Sequence, residues 1–296
     1  MRDYKLEVEN RISFIRDIVA SAKAKGVIFA NSGGKDAVLT GILCKKACDD
    51  TVGLILPCCS KQNYESDKTD AEIVADKYNI ATRYIDLAGT QNQMIEAIYK
   101  TKYYNYGNSS DKDIGNDNDN SNGNVNGNSN DKDIGSDNIN DNDNSNGNDK
   151  DNDNGIRLSE TAIGNIASRL RMIALYTIGS SENRLVAGTG NRSERFMGYF
   201  TKWGDGAYDF NPIADLTVTE IYEFLRYFDV LDHIISKAPS AGLFDGQTDE
   251  DDMGVTYKSI DNYLLNGATN ERDTIIIKRY HNISEHKRKP PLIYSS

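Results

Sequence analysis

The chain has 296 residues, 38% of them hydrophobic and 27% charged, and a formal net charge of −11; residues 105–155 alone carry twelve Asp, three Lys and no Glu or Arg, a net of −9. The other 245 residues are therefore close to neutral, which gives bulk nucleic-acid binding no support and suits one α/β domain. No apolar run approaches the length of a signal or membrane segment, and Cys44, Cys48, Cys58 and Cys59 form neither paired Cys-x-x-Cys sites nor a secreted disulfide framework, so a soluble cytoplasmic protein with reduced thiols is expected.

Within residues 4–25, the positions Leu6, Val8, Ile12, Ile15, Val19 and Ala22 recur at spacings that predict one packed helix face. Val27-Ile28-Phe29-Ala30 reads as a buried strand, followed by the polar loop Asn31-Ser32-Gly33-Gly34-Lys35-Asp36 and a helix over residues 37–47. A second strand over residues 52–56 ends at Pro57, a helix follows over 67–78, and a third strand over 82–87. Strands alternating with helices in this way predict parallel βαβ units with a ligand crevice at the strands' carboxyl ends. Residues 105–155 break the pattern: Asn, Asp, Gly and Ser dominate and Asp-Lys-Asp-Ile-Gly occurs twice, so a disordered surface insertion is expected between two parts of one catalytic domain, residues 1–104 and 156–296. Asn142-x-Asn144-x-Asn146-Gly147 lacks the first Asp and final Glu of a calcium loop. Helical spacing resumes at Ile163, Ile166, Leu170 and Ile173, with Arg169 and Arg171 among them. The strand Leu185-Val186-Ala187 then runs into Gly188-Thr189-Gly190-Asn191-Arg192-Ser193-Glu194, a second polar loop expected to face the first.

The first loop has the chemistry of a phosphate site. Gly33 and Gly34 allow positive φ and close approach of an anion, and the helix that follows adds unpaired N–H groups and the positive end of its dipole. Ser32 supplies a hydroxyl and Asp36 a carboxylate suited to Mg²⁺. The spacing is neither Walker A nor Gly-x-Gly-x-x-Gly, and a plain glycine turn between strand and helix reads the same way.

Longer motifs narrow the choice. Ser32-Gly33-Gly34-Lys35-Asp36 resembles the Ser-Gly-Gly-x-Asp PP-loop of the adenine nucleotide α-hydrolase superfamily. The runs Gly188 to Glu194, Gly198-Tyr199-Phe200-Thr201-Lys202-Trp203-Gly204-Asp205-Gly206, Asp209 to Leu216, Pro239-Ser240-Ala241-Gly242-Leu243, Gln247-Thr248-Asp249-Glu250 and His286-Lys287-Arg288 resemble, in order, those of the ammonia-dependent NAD synthetases. That resemblance implies a Rossmann-like parallel sheet sandwiched by helices, a homodimer, and ATP- and Mg²⁺-dependent amidation of deamido-NAD by ammonia through an adenylated carboxyl. It also implies roles. Ser32, Gly33, Gly34, Lys35, Asp36, Ala37, Thr189 and Ser240 would bind ATP, with Asp36 and Glu194 as Mg²⁺ ligands. Arg169, Lys202, Asp209, His286 and Lys287 would contact deamido-NAD, and Asp205 would accept a proton from ammonium.

Three positions depart from the pattern: Ala30 replaces a glycine, Ala37 a serine, and Val218 a lysine that contacts ATP. Val218→Lys is therefore expected to lower the ATP Michaelis constant. Two other readings stay open: another adenylating PP-loop enzyme, which would call for a basic surface and reactive cysteines, and a nucleotide-binding homologue with weak turnover. With no glutaminase segment before the first helix, ammonia is expected to arrive free or from a separate protein.

Overall fold

The computed structural model describes residues 2–58, 63–101, 156–237 and 248–294. The Asn/Asp-rich tract, Cys59, Ser240 and the rest of residues 238–247 lie outside the described residues.

Helix α1 (Tyr4–Ser21) leads to β1 (Gly26–Ala30), α2 (Lys35–Ala47), β2 (Thr51–Ile55), α3 (Lys68–Lys77), β3 (Ala81–Tyr84) and α4 (Ala88–Tyr99). Beyond the tract come α5 (Glu160–Glu182), β4 (Arg184–Ala187), α6 (Arg192–Met197) and α7 (Val218–Tyr227), then α8 (Asp232–Ser236), α9 (Asp249–Met253), α10 (Tyr257–Asn266), α11 (Glu271–Ile283) and α12 (Glu285–Arg288). The strands form one parallel sheet in the order β3-β2-β1-β4, as the alternation of strands and helices predicts.

Strand alternation builds two cores. Val27 and Phe29 of β1 face one side, where Ile15 of α1, Leu39 and Ile42 of α2 and Phe224 of α7 close over them. Ile28, Val52, Leu54 and Val186 face the other side and meet Ile166, Leu170 and Leu175 of α5. Each such fully buried side chain contributes about 1.5–3 kcal/mol relative to exposure. A third cluster, with Met197, Val218, Met253, Tyr257, Ile260 and Ile277, joins α6 and α7 to the C-terminal helices. Among the described residues no helix is long and apolar enough to cross a membrane.

Two local expectations change, and a third holds by a different route. On α1 the buried residues are Val8, Arg11 and Ile15, whereas Leu6 is 53% exposed and Ala22 falls at the cap. Arg11 holds an inner position because its guanidinium forks onto Asp215 at 2.7 and 2.8 Å. The helix expected from Asp67 starts as a π-helical turn, Asn63–Asp67, before α3 begins. The regular part of the third strand stops at Tyr84, although the N–H groups of Ile85 and Leu87 still donate to Ile55 and Pro57 across the edge, so the extended path reaches as far as the sequence suggests.

Candidate active site

The order β3-β2-β1-β4 makes β1 and β4 neighbours, so the loops leaving their carboxyl ends lie side by side. Of the two loop glycines only Gly33 adopts positive φ, at +73°, and a Cβ there would lie 2.5 Å from the Asp67 carbonyl oxygen. Gly34 has φ −74° and serves as N-cap of α2 with no side-chain cap. Its lack of a side chain leaves the first N–H groups of α2 to an incoming anion, and its own N–H donates to Ser32 Oγ at 3.3 Å.

Asn191 joins the two loops. This fully buried residue caps α6 by accepting from the Glu194 N–H at 2.9 Å, while the Asn191 N–H donates to Glu194 Oε2 at 3.0 Å. Its amide Nδ2 also donates to Asp36 Oδ1 at 3.2 Å. Asp36 and Glu194 are thereby brought to one place, with Lys35 Nζ 2.9 Å from Asp36 Oδ2. Burial, with the charge of Asp36 next, pushes the Glu194 carboxyl well above the usual carboxylate range. Burial opposes the charge on Lys35, but Asp36, Glu194 and Asp249 outweigh it and raise the ammonium above its ordinary value. Tyr257 lies beneath, its ring centroid 5.5 Å from Lys35 Nζ and its hydroxyl donating to Asp249 at 2.8 Å.

A second group forms where α5 and α12 meet the segment after α6. Lys287 Nζ donates to the carbonyls of Gly198 and Phe200 at 3.2 and 2.9 Å. Lys202 Nζ donates to the His286 carbonyl at 2.9 Å, and Arg169 donates to the Lys202 carbonyl at 3.3 Å. Four of the five residues assigned to deamido-NAD therefore cluster. Asp205 shapes the same segment: its Oδ1 accepts from Ser168 Oγ at 2.7 Å and from the Thr201 N–H at 2.9 Å. Asp209 sits apart, one oxygen accepting from the Val186 N–H of β4 at 2.7 Å and the other from the Tyr176 hydroxyl at 3.3 Å, so its carboxylate supports the strand. Thr189 lies partly buried in the loop leaving β4.

The family model for NAD synthase matches residues 7–121 and 131–291. This chain belongs to the NAD synthase family. It is 33% identical over 290 residues to a protein of Carboxydothermus hydrogenoformans named NH(3)-dependent NAD(+) synthetase, covering 98% of this chain and 97% of that one. A Finegoldia magna protein of the same name is 34% identical over 288 residues, covering 97% and 95%. Among solved structures, the NMN synthetase from Francisella tularensis superposes with a TM-score of 0.78 at 29% identity, covering 100% of both chains. The NH3-dependent NAD synthetase from Campylobacter jejuni, solved with a nitrate ion, superposes with a TM-score of 0.67 at 23% identity and shares the fold.

Against the NAD synthase motifs, the residues missed from sequence are Asn191, Asp249 and Tyr257. The first two stand inside quoted motifs, so the signal was there, but only the fold reveals that Asn191 reaches Asp36. Tyr257 carries no motif of its own. Among the described residues no three His, Cys, Asp or Glu side chains gather closely enough to hold a metal by themselves. The donor set nevertheless fits Mg²⁺, which is ordinarily bound by one or two carboxylates completed by phosphate oxygens and water. Asp36 and Glu194 supply the two carboxylates, and their mutual repulsion is what a dication relieves.

Proposed function

We propose that this chain amidates the nicotinate carboxyl of deamido-NAD, using ATP and ammonia and forming NAD, AMP and pyrophosphate. The observation that carries the reading is the Asn191 to Asp36 hydrogen bond, which makes one site of the two motif-bearing loops. In the first step a carboxylate oxygen attacks the α-phosphorus of ATP, the bond to the bridging oxygen breaks, and pyrophosphate leaves. The N–H groups at Gly34 and the first turn of α2 hold the pyrophosphate end, with the helix dipole favouring its charge. Asp36 and Glu194 hold Mg²⁺, which when bound offsets charge on the departing phosphates. Ammonia then attacks the acyl carbon, AMP leaves, and one proton is released. Asp205, fixed by Ser168 and Thr201, is the carboxylate assigned to take it.

Arg169, Lys202, His286 and Lys287 frame the place for the nicotinate nucleotide, and Thr189 and Ser240 add ATP contacts. The protein acts in the cytoplasm as a homodimer. Met94 and Tyr99 of α4 and Ile173 of α5, all 46–53% exposed on adjoining helices, favour pairing through that layer. The catalytic domain comprises residues 1–104 and 156–296. A second reading, amidation of the corresponding mononucleotide, is favoured by the TM-score of 0.78 to an NMN synthetase.

The test is pyrophosphate release by the purified protein with ATP and Mg²⁺, with and without ammonium, comparing deamido-NAD with nicotinate mononucleotide. NAD formation only when every component is present supports the first reading. Preference for the mononucleotide supports the second, and binding of both nucleotides without pyrophosphate would leave a nucleotide-binding homologue.

A further inference from the structure

The floor beneath the PP-loop is the start of α3. Gly33 holds the left-handed turn of that loop, and a Cβ there would meet the Asp67 carbonyl oxygen at 2.5 Å, the Ala71 nitrogen at 2.8 Å and Asp70 Cβ at 2.9 Å. Two residues earlier Asn31, 1% exposed, donates from Nδ2 to the Ala71 carbonyl at 3.1 Å. Contacts this close leave no slack, so the loop keeps its shape only while the first turn of α3 stays where it is.

The same turn is held from its outer side by α8. Lys237, the C-cap of α8, places Nζ 2.7 Å from Asp67 Oδ1 and 2.7 Å from Asp70 Oδ2. His233, one turn earlier, sets Nε2 3.3 Å from Asp70 Oδ1. The residues that crowd Gly33 are thus the ones α8 grips, across 167 and 170 positions of sequence. Burial opposes the charge on Lys237, but the hydrogen bonds from Asp67 and Asp70 outweigh it and raise the ammonium above its ordinary value. Asp70 is 8% exposed, so losing the lysine leaves a buried carboxylate short of its cation. The turn must then shift to bring water to that group, and the shift moves the atoms on which Gly33 rests.

We propose that Lys237 is a positioning residue for the ATP step: it clamps the first turn of α3 under Gly33 and so keeps the PP-loop in its anion-ready shape without itself touching the nucleotide. The inference rests on the ATP-dependent reading of the site, and it adds a determinant that lies outside both motif-bearing loops.

The experiment compares Lys237→Met, Lys237→Arg, Asp70→Asn and the double variant of Lys237→Met with Asp70→Asn against the unmodified protein. It measures ATP binding by calorimetry with Mg²⁺ present, separate Michaelis constants for ATP and the nicotinate substrate, and thermal midpoints. Lys237→Met should weaken ATP binding about tenfold while the nicotinate substrate's Michaelis constant stays within about twofold. Lys237→Arg keeps the charge and a fork that spans both carboxylates, and should bind ATP within about threefold of the unmodified protein. Because the two residues form one clamp, the double variant should bind ATP no worse than Lys237→Met alone.

ATP binding by Lys237→Met within about twofold of the unmodified value, whatever its midpoint, would overturn the proposal and leave an ion pair that serves stability alone. So would equal rises in the two Michaelis constants, or losses that add in the double variant. If Lys237→Met does not fold, Asp67→Asn decides by the same ATP comparison, since it removes one of the two ion pairs and spares that of the buried Asp70. Failure of the amidation reading is distinct: it appears as ATP binding without pyrophosphate release in the unmodified protein, and the calorimetric comparison still stands.

Discussion

Asn191 makes three directed hydrogen bonds from a fully buried position, so its loss touches both stability and the site. Asn191→Ala should lower the unfolding free energy by about 0.5–2 kcal/mol through the lost cap, and should also lower kcat because Asp36 is released from the second loop. Chemical denaturation together with steady-state kinetics would check both, and an unchanged kcat would count against the two-loop site. Glu194 holds its proton more tightly folded than unfolded. Between the ordinary carboxyl range and its raised value the folded state therefore binds more protons, and the ligand-free protein should lose stability as pH rises through that window. Glu194→Gln keeps an acceptor for the Asn191 N–H yet cannot ionise, so its thermal midpoint should exceed that of the unmodified protein near neutral pH and vary less with pH. Charge placement of this kind was only half legible beforehand. The motifs marked Asp36, Lys35 and Glu194 as neighbours of ATP, but which of them touch depends on a contact across 155 residues of sequence.

At the scale of elements, α12 shows how a four-residue helix gains importance from what it holds. Lys287 satisfies two carbonyls of the segment that carries Lys202 and Asp205, and Lys202 reaches back to the His286 carbonyl. Lys287→Met should raise the Michaelis constant for the nicotinate substrate about tenfold, a charge-assisted pair of bonds being lost, and leave that for ATP nearly unchanged. Equal effects on both constants would argue that α12 acts by general destabilisation. Hydrophobic spacing located α1, α2, α3 and α5 because burial drives them, and β1, β2 and β4 within a residue or two, but it left α6 to α12 uncalled. It placed Val8, Ile12, Ile15 and Val19 of α1 on the core but missed Arg11, whose buried position depends on Asp215, a partner no local period reveals. The π-helical start before α3 was equally hidden. Its last residue, Asp67, lies close enough to Gly33 that a Cβ there would meet the Asp67 carbonyl, a tertiary contact that spacing does not show.

For the whole molecule, the parallel sheet between helical layers was legible from alternation alone, and the family followed from motifs in fixed order. Assembly was not, because it depends on which apolar residues are left outside the core. If α4 and α5 carry the dimer contact, Ile173→Glu should convert dimer to monomer in sedimentation velocity without lowering the protomer's helical content. An unmodified protein that sediments as a monomer would refute that assignment. Replacing residues 108–152 with a short Gly/Ser linker should leave turnover intact. The strand order also bears on when the site can exist. The PP-loop leaves the first strand, but its neighbour β4 is the last of the described strands to be made, and Asn191 follows Asp36 by 155 residues. A nascent chain therefore exposes the β4 edge of β1 until late in synthesis. At about 5–20 residues per second, the 51-residue tract alone prolongs that interval by about 3–10 s. About two-thirds of the chain must be made before the two loops can meet, so products truncated ahead of β4 should be silent rather than wasteful consumers of ATP.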